Sequence, residues 1–275
     1  VAATVRTPKR LIVLGGVLLA CLVATAPALA SATAVLHTSF SPNRLGASTT
    51  IDFGFDIAGP DGTVPPPLRS LSLKLPPGIN YLTTTLGLAI CQPAALLERG
   101  LAGCSPNSRL GFGSAYVEVP FGETAGHEIP DIQALMGPPH NGNIVVLFYA
   151  DGREPVYAQL VFAGELIAGS QTLSGSLTAA IPLVPSVPAG PPVSIVKVRT
   201  TIGPAHLTYY ERKHGRTISF HPQGVSLPSR CPRGGFVFSA AFSFEDGTST
   251  VAKSIAPCPP PRKPAAKRGS RKPSH

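Results

Sequence analysis

The sequence predicts an all-β fold: antiparallel β-sandwich architecture, Ig-like or jelly-roll-like, in one or two units, with one short helix in a disulfide loop. Three observations predict it. Apolar and polar residues alternate with a period of two in run after run. The turn dipeptides Asp61-Gly62, Asn141-Gly142, Asp151-Gly152 and Asp246-Gly247 stand between or beside those runs. The chain also carries 31 prolines and 28 glycines, which punctuate it throughout and discourage long helices.

Taken in order, residues 1–30 read as a secretory signal peptide. Arg6, Lys9 and Arg10 make a basic start, residues 11–19 an apolar run, and Ala28-Leu29-Ala30 a small-residue cleavage site. Cleavage is expected after Ala30, with Ala32 the next choice. Two other readings stay open. Residues 11–30 are long enough to span a bilayer if retained, and Leu18-Leu19-Ala20-Cys21 has the form of a lipobox, whose Cys takes a lipid. All three place the rest of the chain outside, because the positive flank stays in the cytoplasm.

Residues 31–121 are expected to form an N-terminal β unit and 122–258 a C-terminal one, with 122–130 as the boundary; one continuous domain is the alternative. Residues 34–40 make the first strand. Ile51, Phe53, Phe55 and Ile57 then alternate with Asp52, Gly54 and Asp56, which places the two acids on the water side. Leu71, Leu73 and Leu75 alternate with Ser72 and Lys74. Residues 93–99 are the one helical stretch, a proline followed by Ala-Ala-Leu-Leu-Glu. Further strands are expected at 114–119, 132–136, 156–162, 173–181, 193–202 and 217–220, and the unbroken apolar run 144–149 reads as a central strand. Phe236, Phe238, Phe242 and Phe244 share a face, with Ser239, Ser243 and Glu245 opposite. The Asp246-Gly247 turn joins 235–245 to 248–255 as a hairpin.

Residues 259–275 are a different material. They hold six Lys/Arg, no acid and no large apolar residue, so they cannot offset the entropy of ordering and are expected to be a disordered, extended, Pro-rich tail. With three more basic residues in the signal, the net charge of +9 belongs to the ends; residues 31–261 carry 14 basic against 14 acidic side chains. A basic nucleic-acid-binding face is therefore not implied. Two readings of the tail stay open: a tether to an anionic cell-wall polymer or a lipid surface, or a solubilising end.

Of five cysteines, Cys21 leaves with the signal. Cys91, Cys104, Cys231 and Cys258 remain, an even number that in an exported chain reads as disulfides. Four cysteines allow three connectivities. The sequential one, Cys91 with Cys104 and Cys231 with Cys258, is expected because each pair brackets one short local unit. Those closures stabilise by about 3 and 3.5 kcal/mol on the loop-entropy model. Neither pair has the spacing of a zinc site, and no His stands at ligand spacing from them.

Several segments resemble a group of secreted actinobacterial proteins with β-rich, Cys-paired modules. Leu75-Pro76-Pro77-Gly78 is similar to the LPPG turn that closes a strand in them. Cys91-Gln92-Pro93-Ala94-Ala95-Leu96, followed by Cys104-Ser105-Pro106-Asn107-Ser108-Arg109-Leu110-Gly111, resembles their C-x-x-A-x-L … C-P-x-x-S-x-[IV]-G element, with Ser105 where a proline is usual. Cys231-Pro232, Phe244-Glu245-Asp246-Gly247-Thr248 and Cys258 resemble their closing hairpin. The resemblance covers about residues 68–258 and implies the fold, the two disulfides and export; it implies no activity.

Signals for chemistry are sparse. There is no G-x-S-x-G elbow; Gly169-Ser170 and Ser174-Gly175-Ser176 read as strand ends and turns. His127-Glu128 with Asp131 lacks the second His of a zinc helix and is broken by Pro130, so a solvated loop is expected. Residues 209–216 read as a polar hairpin tip. Tyr209, Tyr210, Arg212, Lys213, His214 and Arg216 there form a possible contact loop, able to stack on a sugar or pair with an anion. His206, His214 and His221 form a loose cluster. Acids are few, Glu123, Glu154 and Glu165 show no organising partner, and the absence of Trp removes the usual sugar platform. No cofactor and no metal site is expected. The reading is a non-enzymatic extracellular or cell-envelope protein, structural, adhesive or ligand-binding. The alternative is a secreted hydrolase whose site is assembled from residues distant in sequence.

Overall fold

The computed structural model describes residues 31–121, 124–155, 157–169 and 174–259. The expected signal with Cys21, and the expected basic tail beyond Pro259, lie outside the described residues. The strands are β1 (Thr33–Ser41), β2 (Thr50–Ala58), β3 (Leu68–Leu75), β4 (Asn80–Tyr81), β5 (Arg109–Phe121), β6 (Thr124–Glu128), β7 (Asp131–Met136) and β8 (Ile144–Gly152). They continue as β9 (Ala158–Ala168), β10 (Gly175–Ala180), β11 (Ser194–Ile202), β12 (Tyr209–Lys213), β13 (Arg216–Phe220), β14 (Val225–Ser226), β15 (Phe236–Phe244) and β16 (Ser249–Ala256). The expected helix is α1 (Pro93–Arg99), and both disulfides pair sequentially, Cys91 with Cys104 and Cys231 with Cys258. The Phe-rich hairpin folds as expected, Phe236 opposite Ala256 and Ser243 opposite Ser249 across the Asp246-Gly247 turn.

Twelve strands form one antiparallel sheet in the order β1-β2-β11-β5-β7-β8-β9-β10-β3-β15-β16, with β6 folded back on the end of β5. β11 lies between β2 and β5, and β3 lies between β10 and β15, so the two expected units are interleaved in a single sheet. The expected boundary at 122–130 instead contains β6, where Val117 pairs with Glu128. β5 starts five residues earlier than its alternation suggests. Gly111 and Gly113 lie so close to the carbonyls of Thr201 and Arg199 that a Cβ on either would collide, so these glycines are close-approach residues within a strand.

The sheet curls until its two edges meet. β1 lies beside β16, and Thr38 Oγ1 donates to Ser254 Oγ at 2.9 Å across the seam, where Asn43 Nδ2 also reaches the Pro257 carbonyl at 3.1 Å. The sandwich expectation is thus met by one sheet facing itself. The interior has two unlike halves. Beside the seam it is packed solid: Phe40 meets Phe236 edge-on at 5.0 Å, Phe55 meets Phe242 edge-on at 5.0 Å, and Phe236, Phe238 and Phe242 are fully buried. Small residues Ala252 and Ala256 on β16 leave room for those rings. The other half, behind β7 to β10, is hollow.

One end of the rolled sheet is closed. The loop after β3 and the segment 203–228 cross it, joined by the β4–β14 ladder, and Leu86, Leu207, Val225 and Leu227 are buried there. Outside the hollow half, α1 and the Cys91–Cys104 disulfide cover the back of β7, β8 and β9. Leu96, Cys91, Leu135, Val145, Leu147 and Tyr149 form a second small core in that cover. It makes the wall of the hollow two layers thick.

Candidate functional site

The hollow follows from side-chain alternation. Ile144, Val146 and Phe148 of β8, Leu160, Phe162 and Leu166 of β9, and Leu177 and Ala179 of β10 all point to the inside, as do Leu71, Leu73 and Leu75 of β3. In a filled core such residues are sealed from water. Here Leu71, Phe148, Leu160, Phe162, Leu166 and Leu177 remain only half-buried, because they line a cavity of about 270 Å³. Phe55 and Phe238 are its partition from the packed half. Phe148 and Phe162 are cross-strand partners and stack with centroids 5.2 Å apart at 24°. An apolar space of this size, left open on the inner face of a sheet, is the form that hydrophobic ligand sites take.

The closed end is the floor. Tyr81, Leu82, Leu86, Leu110 and Met136 line it. Tyr81 sits deep in the molecule, where desolvation pushes its phenol well above the ordinary value. The opposite end, termed the mouth, is covered by no crossing segment like 203–228 among the described residues and is bounded by the last residues of β8, the start of β9, the segment 182–193 and Glu128. Glu128 is the one charged residue among the described residues that line the cavity. Far from lying in a solvated loop, it is held on β6 and only 7% exposed. Desolvation raises its pKa, while backbone hydrogen bonds from Arg153 and Glu154 pull in the opposite direction. Its Oε1 oxygen is buried with no hydrogen-bond partner among the described residues. Gly152 makes the placement possible, since a Cβ there would collide with Oε1.

The hairpin tip expected as a contact loop divides in two. Tyr210, Arg212, Lys213, His214 and Arg216 are exposed on β12 and β13, with Lys213 paired to Glu211 at 2.6 Å. Tyr209 corrects the expectation: it is fully buried, its hydroxyl accepts from the Gly87 N–H at 2.9 Å and donates to the Arg109 carbonyl. Both faces of its ring are inside the floor, so it anchors the hairpin and offers no surface for stacking. The three histidines are not brought together: His206 meets Phe112 edge-on, His221 contacts the Leu207 carbonyl at 2.9 Å, and His214 holds the hairpin turn. No group of three or more His, Cys, Asp or Glu with metal-site geometry occurs among the described residues. His127 stacks on Tyr116 at 5.3 Å and 19°.

Asp52 and Asp56 lie on the outer face of β2, opposite the phenylalanines. There they tie strands together. Arg199 of β11 grips both carboxylate oxygens of Asp56, at 2.7 and 3.0 Å, and His37 of β1 reaches Asp56 at 2.6 Å. Ser39 and Thr201 donate to Asp52, each at 3.0 Å. Gly54 leaves the space in which the Arg199 side chain lies flat across β2. Partial burial works to raise the Asp56 pKa, but the hydrogen bonds and charges of Arg199 and His37 outweigh it and hold the carboxyl low. This cluster is an external staple over β1, β2 and β11, and it is separate from the hollow.

No family model matches this chain, and no curated protein or solved structure is similar to it. No helix among the described residues is long and apolar enough to cross a membrane. The two disulfides suit an oxidising compartment.

Proposed function

We propose that this protein is a non-enzymatic, extracytoplasmic binding protein that holds the apolar chain of a lipid-like ligand in the hollow half of its sheet. The half-buried state of Phe148, Phe162, Leu166 and Leu177 around the cavity of about 270 Å³ carries the reading. Wet apolar surface on the inside of a fold is costly, at about 25 cal/mol per Å², and an alkyl chain is the solute that relieves it. The wall is reinforced by the packed Phe half on one side and by the helix-disulfide cover on the other. The cavity therefore persists as a preformed site, which lowers the ordering cost of binding. An exported chain with the signal read in residues 1–30 would meet such ligands at the cell envelope, and the basic tail would hold it near anionic surfaces.

The test is a chain-length series. Alkyl ligands of rising length, titrated into the full chain by calorimetry, should gain affinity by roughly fourfold per methylene, from about 0.8 kcal/mol each. The gain should stop at the length that fills the hollow. Binding that is absent, or insensitive to length, would remove this reading.

A further inference from the structure

Among the described residues the cavity has one charged wall residue, and it is unfinished. Glu128 is nine-tenths buried at the mouth, with its Oε1 oxygen unpartnered among the described residues. A carboxylate oxygen can only accept hydrogen bonds when ionised, and leaving one dry and unpaired is costly. A structure retains such a group where a ligand completes it. We propose that Glu128 is the head-group contact of the site: an amphiphile enters tail-first and sets a hydrogen-bond-donating head, a hydroxyl or an ammonium, against Oε1. This rests on the hollow being a ligand site, as argued above.

The surroundings fix the sign of the head. Asp131 and Asp151, cross-strand partners at the same end of the sheet, alternate with the cavity-lining Ile132, Ala150 and Gly152 and so carry their charge on the outer face of that rim, and Glu154 follows on the β8–β9 turn. Arg153 is turned onto Asp151 at 2.8 Å, so one of these acids is already neutralised. The balance at the mouth is still acidic, which repels a carboxylate or phosphate head and favours a donor. Depth fixes the direction. The floor offers the neutral hydroxyls of Tyr81 and Thr83 among Leu82, Leu86, Leu110 and Met136, with no opposite charge among the described lining residues to compensate a charged head for the water it loses. The tail goes to the floor and the head stays at the mouth.

Four ten-carbon probes separate the possibilities: decanol, decylammonium, nonyl methyl ether and decanoate, each titrated calorimetrically into the full chain at about pH 8, where carboxylates are ionised. Decanol and decylammonium should bind roughly tenfold or more tighter than the ether, the size expected for a hydrogen bond to a charged acceptor. Decanoate should bind weakest. Glu128→Gln should cut the preference for decylammonium over the ether to below roughly threefold while leaving ether binding in place. Tyr81→Phe should leave the preference unchanged. Equal binding of all four by the wild-type chain would overturn the assignment yet leave the ligand site standing, and so would a preference that follows Tyr81 instead of Glu128. Failure of every probe to bind would remove the site itself and this proposal with it. The wild-type selectivity is decisive even if a variant does not fold.

Discussion

The two halves of the interior should respond differently to the same truncation. Phe242 is fully buried and edge-on to Phe55, 5.0 Å away. Its replacement by Ala loses the transfer energy of the ring, the ring pair and the space it filled, together about 4 kcal/mol. Phe162 faces the hollow, half-buried and stacked on Phe148. Its replacement loses only about half the transfer term, roughly 1.5 kcal/mol with the stack included, since the space beside it is already empty. Urea melts of the two variants should therefore differ by about 2.5 kcal/mol, seen as a shift in midpoint with unchanged slope. The binding assay should run the opposite way. Removing the Phe162 ring lengthens the site, so the chain length at which affinity levels off should rise by roughly two or three methylenes. The longest chains should bind about thirtyfold tighter, from about 2 kcal/mol of extra burial. Phe242→Ala should not move that plateau. If Phe162→Ala costs as much stability as Phe242→Ala and gains no longer ligand, the hollow is filled in solution and the argument for a ligand site collapses.

Three other outcomes follow from the same geometry. Glu128→Gln should raise the stability of the unliganded protein by about 1 kcal/mol at neutral pH. A carboxyl whose folded pKa is raised binds more protons folded than unfolded, so its penalty grows as pH rises from the unfolded value to the raised folded one and is full above it; thermal melts should show the gain vanish below about pH 4. Asp56→Asn should cost about 1 kcal/mol at pH 7, discounted for partial exposure, because the depressed Asp56 pKa contributes stability above its unfolded value that is lost as pH falls through the folded one. The difference from wild type should close below about pH 3, and a constant difference across the range would refute the staple. Tyr209→Phe should cost about 1–3 kcal/mol by orphaning the Gly87 N–H and the Arg109 carbonyl, whereas Arg212→Ala or Arg216→Ala on the exposed tip should stay within about 0.5 kcal/mol in the same melts.

Local patterns carried most of the elements. Alternation placed β2, β3 and β15 and their buried faces, turn dipeptides placed the β15–β16 hairpin, and proline before a short Ala-Leu run placed α1 between its cysteines. What alternation reports is which side of a strand avoids water, so the strands came through and their order did not. Interleaving β11 between β2 and β5 depends on contacts from about eighty to about 150 residues apart along the chain, of which a single strand pattern holds no trace. Glycine misled at β5, where close backbone approach looks like loop composition. Glu128 was legible only as part of the run His127-Glu128 with Asp131, broken by Pro130 and read as a solvated loop; its partner in placement is Gly152, and a glycine chosen to admit a carboxylate reads like any turn glycine. Tyr209 looked like part of the polar tip because its neighbours are charged, yet Tyr209 sits where the hairpin leaves the floor.

The hollow itself was invisible for a deeper reason. Phe238 and Phe162 belong to the same kind of pattern, an aromatic at an inward position with a valine before it and a small residue after it, Val237 and Ser239 in one case and Val161 and Ala163 in the other. One is fully buried and the other half-wet. The difference lies across the interior: β15 faces Phe40 and Phe55, which fill the space, while β8 and β9 face strands that stand too far off to reach them. A period-two pattern fixes a residue's side and leaves the distance to the opposite wall undetermined, and that distance separates a core from a binding site. The pairing of a rigid, ring-packed half with an underfilled one within a single sheet is the physical content of the proposed function. The packed half supplies the stability that lets the other half stay open, and the oxygen of Glu128 left unpaired at its mouth marks the end from which the space is filled.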